Sequence, residues 1–458
     1  MIDTATIRFK LSLASVKQIV PRLLSLVPEE PPPELLQNYS AARREELARS
    51  YNNIHSLDTE RFFSKPNALQ KAPYLLLLCE HIPSMNPGIK AITIYRQKIY
   101  GSYYTDEFYI SITIALEQLI AGKPTVELFR PSVKNNAALQ DAYAAAIYYL
   151  FPEAFCLDGI YSIEELTDLA ALPYLGAAKV NEVAFTVDFR PDDLALTKKL
   201  VDASVRTFSL NNAELDNDNT YLYTKSRCTT IDFYDKLEKF NTQGVVDAAL
   251  IAEATGRYRF EFTKYKPTRA WIQNNFHVDI NDGYYQLGIL PFLNEKFADD
   301  VLYGYYDKFL GFEDWYSSKA IETMVNNADL STRAKNELLT KTLPAISQAR
   351  SVEAARSKCV TDSGYSIRTG VVKFSEASFS KQLKNARQAG VQPLTLPRNW
   401  ARDHDIYKSV DNPIKKIVFP KEHDSIVELE QVLSKEEFAQ YSKTVKYFNE
   451  ELQRRRKA

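Results

Sequence analysis

The sequence predicts an α+β protein: an antiparallel sheet of duplicated β-α-β-β type followed by a largely helical C-terminal segment. Three observations predict it. Residues 90–116, KAITIYRQKIYGSYYTDEFYISITIAL, alternate apolar and polar positions, the period of strands with one buried face. Residues 180–266 read as β-α-β-β-α-β, for which antiparallel pairing with helices on one face is the natural packing. Beyond about residue 270 the pattern turns mainly helical.

Taken in chain order, residues 4–14 predict a strand. A proline turn at PEEPPP leads into a helix from about Pro33, since proline is tolerated in a first helical turn. The alternating 90–116 stretch predicts two or three strands of a meander, and the Ala-rich 135–150 a helix. EVAFTVDFRPDD predicts a strand ended by Pro191. A helix to about Phe208 follows, with Asp192 and Asp193 at its positive end. Then come a loop, a strand, a tight polar turn and the strand CTTIDFYDKLEKF, a helix over 243–254 and the strand GRYRFEFTKYK. GYSIRTGVVKFSEASFSKQLKNARQAG, residues 364–390, predicts a short β element and then a helix stopped by Gly390. A last helix starts at Ser434, where Ser434 and Glu437 have capping-box spacing and Leu433 and Phe438 form a staple. The strand-rich 90–116 with helix 135–150 resembles a first half-unit, and 180–266 a second.

At 458 residues the chain is long enough for two or three domains, and 45% hydrophobic with 25% charged residues is an ordinary globular composition. Four cysteines, Cys79, Cys156, Cys228 and Cys359, lie far apart, which argues for a reducing compartment and against a zinc cluster. The N-terminus is too polar for a signal peptide, and no apolar run of about 18 residues predicts a membrane span. A net charge of −1 hides an asymmetry: residues 331–402 hold 13 Lys and Arg against 4 Asp and Glu, a net +9. A basic block of that size is an electrostatic footprint for nucleic acid, or a solvated helical surface whose acidic partners lie elsewhere.

No GxxxxGK[ST] phosphate loop occurs, no HxH or HExxH, no GxSxG, and the five histidines are scattered. What remains is a set of polar residues inside apolar strands. Asp188 interrupts EVAFTVDFR, sharing a face with Thr186 and Arg190. Glu261 sits between two phenylalanines in YRFEF, in register with Arg259. Tyr234 and Lys236 in IDFYDKLEK are two apart, as for one face of a strand. Singly, each has an ordinary reading as a solvated or half-buried strand residue. Together, two carboxylates meeting across a sheet suit Mg2+ or Mn2+, which prefer oxygen ligands. With a lysine for developing charge and a tyrosine as nucleophile, that is the equipment for attack on a phosphodiester.

These residues resemble the gene II replication initiators of filamentous bacteriophages and related plasmid replication proteins. The opening MID leading into TIRFKL is similar. EVAFTVDFR is similar to the family's Arg-x-Asp strand, with Thr186 where the family has arginine. TTIDFYDKLEKF looks like its Tyr-x-Lys strand, and YRFEFTKYKPTRAW like its Arg-Phe-Glu strand with a basic exit. VVKFSEASFSKQLKNARQAG followed by LTLPRNW resembles its C-terminal segment, including Pro397, Arg398 and Asn399. Order and rough separations agree over about 1–15 and 90–405.

The resemblance implies a replication-initiator nicking fold. It also implies a site-specific single-strand DNA endonuclease and ligase that starts rolling-circle replication from a phage or plasmid origin. A tyrosine attacks the origin phosphodiester, stays on the 5′-phosphate and frees a 3′-OH. The partners implied are origin DNA and the host helicase and polymerase, in the cytoplasm of a bacterial host, with no membrane. Carried over, Tyr234 is the nucleophile and Lys236 its electrostatic partner. Asp188 and Glu261 are metal ligands for Mg2+ or Mn2+, and Arg259 is a phosphate or carboxylate contact. Lys264, Arg269 and Arg398 are DNA contacts. Related plasmid initiators place the nucleophile downstream of the glutamate, so Tyr303, Tyr305 or Tyr306 is the alternative. The chain then divides into a nicking domain over 1–275, a basic, mainly helical DNA-contacting domain over 276–405, and a tail with an amphipathic helix over 406–458. Two other readings stay open: a metal-dependent hydrolytic nuclease without a covalent intermediate, and an origin-binding protein that does not cut.

Overall fold

The computed structural model describes residues 1–64, 66, 72–98, 104–155, 168–205, 214–217, 221–225, 228–276, 288–360, 374–396 and 409–412. Nine strands form its centre: β1 (Ile2–Leu11), β2 (Tyr74–Leu78), β3 (Ile89–Lys98), β4 (Tyr104–Ala115), β5 (Lys179–Phe189), β6 (Glu214–Asn217), β7 (Tyr221–Lys225), β8 (Thr229–Asp235) and β9 (Tyr258–Tyr265). They hydrogen-bond in the order β2-β3-β4-β1-β5-β9-β8-β7-β6. All neighbours pair antiparallel.

That order contains a duplication. In the first half, β1 is followed by helices and then by the meander β2-β3-β4, whose last strand returns beside β1. In the second, β5 is followed by helix Leu194–Ser204 and then by the strands β6 to β9, the last of which returns beside β5. The halves meet antiparallel along β1 and β5, so the topology has two-fold symmetry about a line between them. Two half-units were expected, and their bounds differ from the expectation. The first begins at β1, not near residue 90. The second carries an extra strand, β6, in a stretch rich in Asn and Asp that reads as loop.

Alternation explains the layers. Val183, Phe185, Val187 and Phe189 of β5, Phe260 and Phe262 of β9, and Ile231 and Phe233 of β8 are all buried on one face. Helix Glu295–Phe309 covers that face. Its apolar residues recur at helical spacing, and the side chain of Asn294 caps it by accepting from the Phe297 amide at 2.9 Å. Phe185 packs edge-on against Phe297 at 6.0 Å, and Tyr305 stacks on Phe262 at 3.7 Å. Each such side chain taken out of water stabilises the fold by roughly 1.5–3 kcal/mol. In the first half, Ile7, Phe9, Ile92, Ile94, Ile110 and Ile112 make the equivalent layer under Val16, Ile19, Val20 and Leu23 of helix Leu13–Ser25. One cluster of buried side chains runs from Ile2 to Leu396 and takes in helix Glu295–Phe309, while Ile321, Val325, Leu338, Leu343, Ala386 and Val391 form a second, smaller cluster.

Among the described residues the stretch 318–359 is mainly helical, as expected, and helix Glu376–Gln388 ends at Ala389 with Gly390 in the left-handed region at φ +74°. The helix expected from Ser434, with its Leu433–Phe438 staple, lies outside the described residues. Among the described residues no helix is long and apolar enough to cross a membrane.

Candidate active site

The polar positions of β5, β9 and β8 point to the sheet's other face. In the ladder Asp188 stands opposite Arg259, which stands opposite Tyr234. Two residues along, Thr186 stands opposite Glu261, which stands opposite Asp232. Directly paired residues of a sheet point the same way, so the three strands lay six polar side chains in two rows of three. Asp188 and Glu261, read from the sequence as one site, thus share a face as diagonal neighbours.

Arg259 is the centre of the first row. Its side chain is 0% exposed. Nε donates to Asp188 Oδ1 at 2.6 Å and Nη2 to Asp188 Oδ2 at 2.8 Å, a two-pronged pairing. Nη1 donates to Asp3 Oδ2 at 2.9 Å, and Nη2 also to the Val126 carbonyl at 3.0 Å. Arg257 Nη1 adds a longer bond to Asp188 Oδ2 at 3.4 Å. Burial by itself lowers the Arg259 pKa; Asp3, Tyr234 and Asp188 more than reverse this, and it stays charged. Burial likewise pushes the Asp3 carboxyl up, and Arg259, with Lys236 and Lys239, holds it below the usual range. Of the two contacts considered for Arg259, phosphate or carboxylate, the structure shows the carboxylate one.

Tyr234 is 1% exposed. Its hydroxyl donates to Glu261 Oε2 at 3.0 Å, and Thr263 Oγ1 donates to Glu261 Oε1 at 3.4 Å. Burial first, and then the Glu261 charge, raise the Tyr234 phenol well above its ordinary value. Glu261 has a further acidic neighbour: Glu182 of β5 titrates high because it is buried and because Glu261 is charged. Asp232 stands directly across from Glu261, and two carboxylates so placed repel unless a proton or cation lies between them.

Lys236 requires a correction. It does not share a strand face with Tyr234, because β8 ends at Asp235. The Asp235 carboxylate accepts from the amides of Leu237 at 2.9 Å and Glu238 at 3.4 Å, which starts helix Lys236–Thr242. The Lys236 ammonium lies 5.1 Å from the Phe240 ring centre. Burial, with Arg259 nearby, lowers its pKa to about 8. The ammonium over the Tyr234 ring, at 4.0 Å, belongs to Lys239, one helical turn on.

Tyr306 is not brought to this group. Fully buried, it lies edge-on to Phe260 at 5.2 Å on the apolar side of the sheet, and its hydroxyl donates to Asn412 Oδ1 at 2.7 Å. Tyr305 is on the same side, accepting from Trp271 Nε1 at 3.1 Å, and Tyr303 stacks on Phe312. Lys264 also faces the apolar side: it is buried, bonds the Cys228 carbonyl at 3.2 Å and lies over Trp271. Arg269 opens helix Arg269–Phe276. Arg398 lies outside the described residues.

Sequence reading missed Asp3, Asp232 and Lys239. Asp3 meets Arg259 across 256 positions and has no local signal. Asp232 was legible, two before Tyr234 in an apolar strand. Lys239 follows once Asp235 is read as a helix cap. Among the described residues, no group of three or more His, Cys, Asp and Glu is gathered as for a metal ion. No family model, curated protein or solved structure matches the chain.

Proposed function

We propose that the chain is a DNA nicking and joining enzyme that starts rolling-circle replication at a phage or plasmid origin, with its sheet as a replication-initiator nicking fold. The observation that carries this reading is the Tyr234 hydroxyl donating to Glu261 at 3.0 Å, on the same face as Asp188 and Arg259. A phenol attacks only as its anion, and a carboxylate in hydrogen-bond reach can take the proton. Arg259, directly opposite Tyr234, and Lys239, over its ring, place positive charge beside the developing phenolate. The step balances simply. The Tyr234 proton passes to Glu261, an oxygen–phosphorus bond forms to the 5′-phosphate, and the 3′-oxygen leaves, taking a proton from solvent. The bond energy stays in the phosphotyrosine, so the reverse reaction rejoins the strand. Attack requires Tyr234 to be uncovered, which includes moving the Lys239 ammonium off its ring.

A divalent cation fits part of this face. Both oxygens of Asp188 are engaged by guanidinium groups, so Asp188 and Glu261 do not bridge a cation as they stand. Glu261 and Asp232, directly opposed, offer the oxygen donors that Mg2+ or Mn2+ takes alongside a substrate phosphate. When bound, such an ion would supply positive charge to a non-bridging phosphate oxygen.

The burial of Tyr234 favours a second reading, a hydrolytic nuclease in which Tyr234 only packs. Tyr234→Phe separates the two. The nicking enzyme loses all cleavage and all protein–DNA adduct on a pool of random-sequence single-stranded oligonucleotides with Mg2+ or Mn2+. A hydrolase goes on cutting without ever forming an adduct.

A further inference from the structure

The first half of the sheet carries its own surface on the same side as Asp188 and Tyr234. Tyr74 of β2 pairs with Tyr95 of β3, Tyr95 with Tyr109 of β4, and Tyr109 with Lys10 of β1. Paired residues point the same way, so three phenol rings stand abreast with a lysine at the end of the row. The hydrogen bond between Thr6 Oγ1 and Thr113 Oγ1 at 3.0 Å, and the pairing of Thr6 with Glu182, carry this face across to β5. By strand order, β1, β4 and β3 of the first half correspond to β5, β9 and β8 of the second.

We propose that this row is a binding platform for single-stranded DNA. The rings of Tyr95 and Tyr109 lie 5.8 Å apart, and Tyr74 is 61% exposed, with Leu76 beside it at 39%. The rings of Tyr74 and Tyr95 offer faces on which successive bases stack, irrespective of sequence, while the Tyr109 ring is already covered by Arg8. The Arg8 guanidinium lies 4.7 Å above the Tyr109 ring, and Lys10, paired with Glu107, is half-exposed at the row's end. Both are placed to meet the phosphates of a strand stacked on the tyrosines. Cations at the edge of an aromatic row suit a polyanion with free bases. They do not suit an apolar protein partner, and a duplex keeps its bases out of reach. The choice of DNA over RNA rests on the nicking reading; the platform itself does not. About seven residues of β1 separate Lys10 from Asp3, roughly 23 Å along the strand. The tyrosine row thus lies at the opposite end of β1 from the Asp3–Arg259 contact.

The test is fluorescence anisotropy of the full chain with a labelled oligothymidylate of about ten nucleotides. Wild type binds it, and Tyr74→Ala and Tyr95→Ala each weaken binding by roughly ten-fold, while Tyr95→Phe restores it. Arg8→Gln flattens the salt dependence of binding by about one phosphate contact. Tyr74, being exposed, keeps the test alive if Tyr95→Ala does not fold. The proposal is overturned if wild type does not bind, if Tyr74→Ala and a folded Tyr95→Ala bind as wild type does, or if oligouridylate or duplex DNA competes better than the labelled strand. If wild type binds through the tyrosines yet nicks nothing, the nicking reading fails and the platform stands.

Discussion

Asp188 and Arg259 face each other across β5 and β9 and are joined by two N–H···O bonds, of 2.6 and 2.8 Å, with the guanidinium wholly out of solvent. This pair, with Asp3 on the third corner, ties β1, β5 and β9 together where the two halves of the sheet meet. Asp188 is therefore a positioning residue: it holds the arginine that stands beside Tyr234.

Removing the Asp188 charge leaves the buried Arg259 guanidinium with Asp3 as its remaining carboxylate. Asp188→Asn should lower the unfolding free energy by about 3–5 kcal/mol, read from urea denaturation. Replacing both partners, as Asp188→Leu with Arg259→Leu, should cost less than the sum of the single changes. Additive losses would show that the two are not coupled.

Lys236 gives the pH dependence a sign. Its folded pKa of about 8 lies below the ordinary value of 10.5, because burial and Arg259 disfavour the charged form. Between those values the unfolded chain binds more protons than the folded one, so stability rises with pH across that window. Below about pH 8 the group is charged in both states and the cost of burying it is constant. Urea midpoints of wild type should rise relative to Lys236→Met from about pH 8 to 10.5. A flat difference would mean that the ammonium is solvated.

Tyr306→Phe removes one buried hydrogen bond, to Asn412, whose amide also donates to Gly311 and Glu313 carbonyls. The expected cost is about 1 kcal/mol, with cleavage and adduct formation unchanged. Loss of the adduct in a folded Tyr306→Phe variant would move the nucleophile to the other side of the sheet.

Glu261→Gln keeps the shape and an acceptor oxygen for Tyr234 but removes the base. Single-turnover cleavage should fall by roughly 10²–10⁴-fold, the usual worth of general-base assistance. An unchanged rate would assign Glu261 to packing alone.

The sheet was legible where alternation was strong. β5 and β9 carry apolar residues at every second position, and so Asp188 could be placed on one strand and Glu261 with Arg259 on another, while their shared face follows only from the ladder between the strands. Lys236 was misplaced because the TTIDFYDKLEK run continues to look like a strand. The stop lies in one hydrogen-bonded side chain, Asp235, whose capping role competes with strand propensity. Tyr306 was correctly read as helical, yet helical spacing alone does not say that the helix lies under the apolar side of the sheet, away from Tyr234. β6 was hidden by its Asn and Asp content. Long-range pairings, such as Asp3 with Arg259 or Tyr306 with Asn412, follow from topology and leave no mark in any local window.

Whether Tyr234 is the group that attacks DNA is read from peptide mass spectrometry. The full chain is incubated with random-sequence single-stranded oligonucleotides and Mg2+ or Mn2+, digested with nuclease and protease, and searched for nucleotide-modified peptides. The account predicts a nucleotide 5′-phosphate on Tyr234, absent from Tyr234→Phe. Cleaved DNA with no modified tyrosine, or a nucleotide on Tyr303, Tyr305 or Tyr306 instead, would contradict it.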